Sequence, residues 1–194
     1  ALLGNERLVE NNFLNENLSS SYFMAYLIPE SSLKIYDFNR LVSDLNNRSA
    51  EEIIGMLEDS FEVSLMKKEF RPTKKHEFAM YLHSKWYKLN LIQLPTSDNP
   101  TDHLDPRILS KLILHPILGI KDLKTDSRIS FLNGKTGMKG LQKKVDSGLA
   151  KIAFGLYPVS VRDLMHVADT NNIMPPKSTY IEPKLRSGLT VYEL

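Results

Sequence analysis

The sequence predicts a mixed α+β fold: a mainly antiparallel sheet with helices packed on it, hairpins early and strand–helix–strand units late. Three observations predict it. Short segments between residues 33 and 94 alternate apolar and polar side chains. Two helix starts carry a capping box, Ser49 with Glu52 and Ser160 with Asp163. Strand patterns at 128–132 and, largely apolar, at 151–157 flank a helical pattern. With 194 residues, 42% of them hydrophobic and 25% charged, the chain has ordinary globular composition and enough length for one core.

In order, residues 1–18 predict a helix and then a loop. Leu2, Leu3, Leu8 and Val9 form a partial apolar stripe, which Asn11, Asn12, Asn15 and Asn17 break. No capping residue precedes this helix, so it reads as the tail of a longer one. Residues 21–29 are almost continuously apolar and predict a central strand buried on both faces. After a turn at 29–32, residues 33–38 predict a second strand, antiparallel to the first. Asn39 and Arg40 then mark a junction between strand and helix. Ser49 opens a helix whose buried side holds Ile53, Ile54, Leu57 and Phe61. Residues 61–66 predict a strand, and 77–82 with 85–94 a hairpin turning at His83-Ser84, with Trp86, Leu89 and Leu91 in the core.

The polar loop at 95–103 is the best internal boundary. Asp105 and Pro106 then start a helix, as cap and first turn, with Ile108, Leu109, Leu112 and Ile113 facing inward and Pro116 and Gly119 ending it. A strand at 128–132, a helix at 137–146 stopped by Gly148, a strand at 151–157, a helix at 160–168 and a last strand at 189–194 complete the pattern.

Composition excludes several functions. There is no cysteine, which rules out a disulfide scaffold, a thiolate metal site and a cysteine nucleophile. A reducing, cytoplasmic setting is expected. No apolar run approaches the roughly 20 residues that span a bilayer, so no membrane partner is expected. Twenty-five basic and 23 acidic residues give a net charge of +2, too balanced for a nucleic-acid binder.

The stretch 174–189, M-P-P-K-S-T-Y-I-E-P-K-L-R-S-G-L, is the leading site candidate. Two prolines stiffen the backbone ahead of Lys177, Ser178 and Thr179. Glu182, Lys184 and Arg186 follow at alternating positions, which an extended chain projects to one side. Cations and hydroxyls on a rigid segment suit a phosphate or carboxylate; the competing reading is a structural crossover with solvated charges. Asn39 and Arg40 suit the polar lining of a cleft, or a turn into a helix. Gly134-Lys135-Thr136 resembles the end of a phosphate-binding loop, but Ile129 stands where that loop needs a glycine, so a turn is expected. His76, His83, His103, His115 and His166 have no zinc-ligand spacing, and no metal site is expected. His166, on a short helix ahead of the stretch, is placed to reach it.

With those residues in view, the chain resembles the domain of unknown function 1015 family of uncharacterised prokaryotic proteins. The resemblance rests on residues 174–188, on Phe38-Asn-Arg40 with the apolar residues after it, and on Leu104-Asp-Pro-Arg-Ile-Leu109, Leu118-Gly-Ile120 and Phe154-Gly-Leu-Tyr-Pro158. It implies that residues 1–194 are the C-terminal half of a protein about twice as long, whose Asp-Gly-His-His-Arg motif would lie just ahead of Ala1. That motif resembles one in ParB-like and sulfiredoxin-like nucleotide-binding proteins, a group that includes free-serine kinases. The implied function is a nucleotide- or phosphometabolite-binding half of an enzyme, kinase-like at full length and inactive alone, with ATP or ADP and Mg as cofactors. Lys177, Lys184 and Arg186 would hold the anion and Ser178 and Thr179 would donate hydrogen bonds, the missing half being the partner. The alternative is a non-catalytic module that forms a homodimer or binds another partner.

Overall fold

The computed structural model describes residues 24–184, together with 186, 188, 189 and 191. The expected helix at 1–18, the start of the strand at 21–29 and most of the strand at 189–194 lie outside these residues. The chain divides into two compact units, Ile35–Ile181 and a second made of Ala1–Lys34 with Glu182–Leu194.

A six-stranded sheet forms the frame of the larger unit. Its strands are β2 (Phe38–Val42), β3 (Phe61–Met66), β4 (Glu77–Leu82), β5 (Lys85–Leu91), β6 (Ile129–Asn133) and β7 (Ile152–Gly155), in the order β3-β5-β4-β7-β2-β6. Every pair is antiparallel. A separate two-stranded sheet pairs β1 (Lys34–Tyr36) with β8 (Tyr180–Glu182). The α+β expectation therefore holds, with its antiparallel sheet.

Both sheet faces are covered, which explains why β4 is buried at every position and apolar throughout after Glu77. Phe78, Met80 and Leu82 join Val42, Ile152 and Phe154 in the larger core. That core is closed by α1 (Ala50–Leu57), by α2 (Asp105–Leu109) and by the π-helical turn Ser110–Leu114 that continues α2. Ala79 and Tyr81 point the other way and join Leu41, Trp86, Ala153 and the inner side of α3 (Gly137–Asp146). The fourth helix, α4 (Val161–Asp169), packs Val167 on Leu104 and Val159.

The local signals work as physics requires. Ser49 accepts from the Glu52 amide at 3.1 Å and Glu52 returns the bond at 2.7 Å, and Ser160 with Asp163 repeats the arrangement on α4. The hairpin turns on His83 and Ser84, both with positive φ, as a tight two-residue turn demands. Gly148, at φ 79°, terminates α3.

Three expectations are corrected. Residues 24–28 form no strand, and Met24, Tyr26 and Leu27 are exposed. Apolar continuity supplies a reason for burial but not the ladder that makes a strand. Asn39 and Arg40 lie inside β2, because β2 runs on to Val42 between β6 and β7 instead of ending at Phe38. Asp105 is not the cap of α2. Leu104 holds that position, and the Asp105 carboxylate accepts instead from the His76 amide at 3.0 Å. The loop at 95–103 lies within the larger unit.

Two polar arrangements lock the frame and give two predictions. Glu77, 3% exposed at the start of β4, binds Lys88 Nζ at 2.8 Å and accepts from the Thr73 amide and hydroxyl. Burial pushes its pKa up, but Lys88 and Thr73 outweigh that and hold it at about 2, below its ordinary 4.5. The stabilisation is complete above the unfolded value and fades as pH falls toward 2. Glu77→Gln is expected to cost about 2 kcal/mol at pH 7, with the gap to wild type closing in urea titrations run at successively lower pH. Gly134 donates its amide to the Asp37 carbonyl at 2.8 Å, and a Cβ there would fall 2.1 Å from Asp37 Oδ1. The Asp37 side chain is buried and held by Asn39, so it cannot retreat. Gly134→Ala should lower stability by about 2–3 kcal/mol through this overlap, read as an earlier denaturation midpoint.

Candidate functional site

The predicted site residues divide between the two units. In the larger unit, Asn39 and Arg40 are wholly buried. Asn39 donates to Asp37 Oδ2 at 2.5 Å and accepts from the Leu156 amide at 2.9 Å, so its carboxamide ties strands together. Arg40 turns its Nη1 back to the Phe38 carbonyl and lies 4.9 Å over the Phe131 ring. Desolvation lowers its pKa to about 9.

Lys177 has a left-handed backbone, φ 55°, and places Nζ 5.7 Å from the centre of the Phe38 ring. Ser178 is buried and donates its hydroxyl proton to the Pro175 carbonyl at 2.6 Å, which closes the turn after the two prolines. Thr179 is half-buried. Tyr180 then sets its ring edge-on to Tyr36 and Phe38. In the other unit, Glu182 is half-buried while Lys184 and Arg186 are exposed. Strand β8 ends at Glu182, ahead of Pro183, so the expected extended run does not continue through Lys184 and Arg186 as a strand.

The proline-rich stretch does line a cavity, but with its prolines. Pro175 and Pro176 form one wall of a cleft of about 320 Å³ in the larger unit. Arg107, Lys111 and His115 line the same cleft, joined by Lys121 from the next loop, all four exposed. Ile120 and Leu123 contribute apolar surface. The π-helical turn places Ser110 and Lys111 on this cleft, a local widening often met at functional sites. Two carboxylates temper the charge. Asp102 binds Lys111 at 2.7 Å and Arg107 at 3.5 Å, and the Lys111 ammonium holds it below the usual carboxylate range. Asp122 is engaged by the Lys124 amide and the Thr125 hydroxyl. Sequence reasoning missed this cleft. Its signal was the recurrence of a basic residue every four positions, at 107, 111 and 115, which stacks side chains along one helix flank.

A second cleft, of about 470 Å³, is lined by Lys75, Ser97, Asp98, His103, Asp163 and His166 among others. His103 Nε2 lies 2.7 Å from the Ser97 carbonyl, and Lys75 pairs with Asp163 at 2.8 Å. His166 thus faces this cleft and not the cleft walled by the prolines. Gly134–Thr136 is a turn, as expected. Among the described residues no group of three or more His, Asp or Glu side chains is placed to hold a metal ion, and no helix is long and apolar enough to cross a membrane.

Residues 1–107 match the model of the family described as "Protein of unknown function (DUF1015)". The proline-rich stretch lies beyond that match. No curated protein matches the sequence. Among solved structures, the chain is similar to a free serine kinase in complex with AMP, at 12% identity and a TM-score of 0.44, over 77% of this chain and 54% of that one. It is also similar to a conserved hypothetical protein from Pyrococcus furiosus, at 12% identity and a TM-score of 0.46, over 77% and 56%. The chain therefore spans about half the length of the solved structures it matches.

Proposed function

The chain belongs to the DUF1015 family of proteins of unknown function, and we propose that it binds a small molecule bearing a phosphate or carboxylate group in the cleft walled by Pro175 and Pro176. One observation carries this reading: Arg107, Lys111, His115 and Lys121 line the same concavity as the two prolines. Arg107, Lys111 and Lys121 exceed by one charge the two carboxylates that temper them, Asp102, which binds Lys111 and Arg107, and Asp122, which its own loop engages. Ile120, Leu123 and the proline rings offer an apolar surface for the organic body of the ligand. Arg107 supplies a planar fork and the lysines supply point charges, the usual division of labour around an oxyanion.

Thr179, after the wall, remains a proposed contact of this ligand; Glu182, Lys184 and Arg186 remain proposed ligand contacts within the other unit, taken by itself. Ser178 acts through the turn it closes, and Asn39 through the strands it ties. For the whole protein the proposed reaction class is phosphoryl transfer to a small metabolite, because that chemistry asks of a protein mainly positioning and positive charge.

Calorimetric titration with AMP, ADP and ATP, with and without Mg²⁺ at low salt, tests the proposal. Binding by wild type is expected to weaken about tenfold in Lys111→Ala and in Lys121→Ala, in keeping with loss of one charge-assisted contact. The exposed Lys68→Ala should leave it unchanged. Absence of heat with every nucleotide, or equal affinity in all variants, overturns the reading.

A further inference from the structure

The guanidinium of Arg40 is the odd charge of this fold. Its residue is wholly buried on a central strand, and no carboxylate lies within ion-pair distance of it among the described residues. Nη1 is satisfied by the Phe38 carbonyl and the flat face by the Phe131 ring. Nε and Nη2 have no acceptor. Burying a cation with two donors unpaired is costly, and folds rarely keep one without a use for it.

The two unpaired atoms are not a random pair. Nε and Nη2 form the side-on edge through which arginine grips two oxygens of one carboxylate or phosphate. Arg128 of the same chain shows that grip completed: Nε reaches Asp126 Oδ1 at 3.1 Å, Nη2 reaches Asp126 Oδ2 at 2.7 Å, and Nη1 takes the Leu118 carbonyl at 3.2 Å. Arg40 has the carbonyl on Nη1 and the same edge open. The neighbouring carboxylate does not fill it: Asp37 bonds Asn39 and Arg71 instead.

A second cation stands by the same rings. Lys177 Nζ lies over Phe38, and the Phe38 and Phe131 ring centres are 6.0 Å apart. Lys177 holds that place from a left-handed backbone, which a non-glycine residue adopts at some cost and which recurs where a segment serves a ligand.

We infer that Arg40 binds one carboxylate or phosphate group of a small free anion through Nε and Nη2, with Lys177 as the second cation. The buried guanidinium limits the bound part to the oxyanion itself. Because Lys177 and Tyr180 cap Phe38, the segment 177–180 is the one that must lift to admit it. This site is separate from the cleft proposed above and goes beyond that reading.

Thermal unfolding in inorganic phosphate at constant ionic strength tests it, using a Lys111→Ala/Lys121→Ala background so that the surface cleft does not contribute. The melting temperature is expected to rise by about 5 °C once phosphate exceeds its dissociation constant about a hundredfold. Arg40→Met should abolish that rise. Arg40→Lys keeps the charge but lacks the fork, and should weaken phosphate about tenfold; it decides the matter if the methionine variant does not fold. Lys177→Ala should also weaken phosphate, and amide exchange at 177–180 should slow with phosphate in the parent alone. No rise in the parent, or the same rise in Arg40→Met and Arg40→Lys, overturns the inference whatever the nucleotide titrations give.

Discussion

Strand β2 is bonded on both edges, to β6 along its whole length and to β7 over its later half, and the rest of the structure depends on that double pairing. It places Asp37, Asn39 and Arg40 where water does not reach. Each polar group there must then be answered from within the protein. Asn39 is answered by the Asp37 carboxylate and the Leu156 amide, and the Asp37 carbonyl by the Gly134 amide. These bonds tie the start of β2 to the end of β7 and to the turn before α3. The same constraint makes any larger residue at Gly134 destabilising and leaves Arg40 as the one group of the three with side-chain donors that have no partner.

Around that frame the charges sort by the surfaces they meet. Glu77 is buried with Lys88 and Thr73 and serves stability. Arg107, Lys111, His115 and Lys121 remain at the surface around a cleft, where charge costs little to keep and stays available to a ligand. Arg40 belongs to neither class, being buried like Glu77 and incompletely paired. The proline-rich stretch touches both regions. Its prolines wall the cleft while the lysine after them, itself exposed, lies over the Phe38 ring. The sharp change of direction between Pro176 and Ser178 makes that possible, with the Ser178 hydroxyl closing the turn on Pro175.

Much of the fold was legible because its signals are local. A serine followed three residues later by an acid caps a helix wherever it occurs, so the starts of α1 and α4 were readable to the residue. The strands from 61–66 and 77–82 and the turn at His83-Ser84 followed from side-chain period and segment length. The run at 24–28 is misleading because apolar content does not by itself supply a ladder, and Met24, Tyr26 and Leu27 stay exposed. Asn39 and Arg40 misled in the opposite sense. Two polar residues in succession look like the end of a strand unless one knows that Leu156 and Phe131 meet them from elsewhere in the chain.

The sequence by itself determined the class of the fold, the capping boxes of α1 and α4 and the hairpin at His83-Ser84, because those depend on neighbours a few positions apart. Only the tertiary structure decided which side chains share a surface. Arg107, Lys111 and His115 recur at helical spacing, yet their meaning depended on Pro175 and Pro176, some sixty residues later, lining the same cleft. The incomplete pairing of Arg40 was likewise invisible, since whether a buried charge is answered depends on every segment packed around it and on none alone.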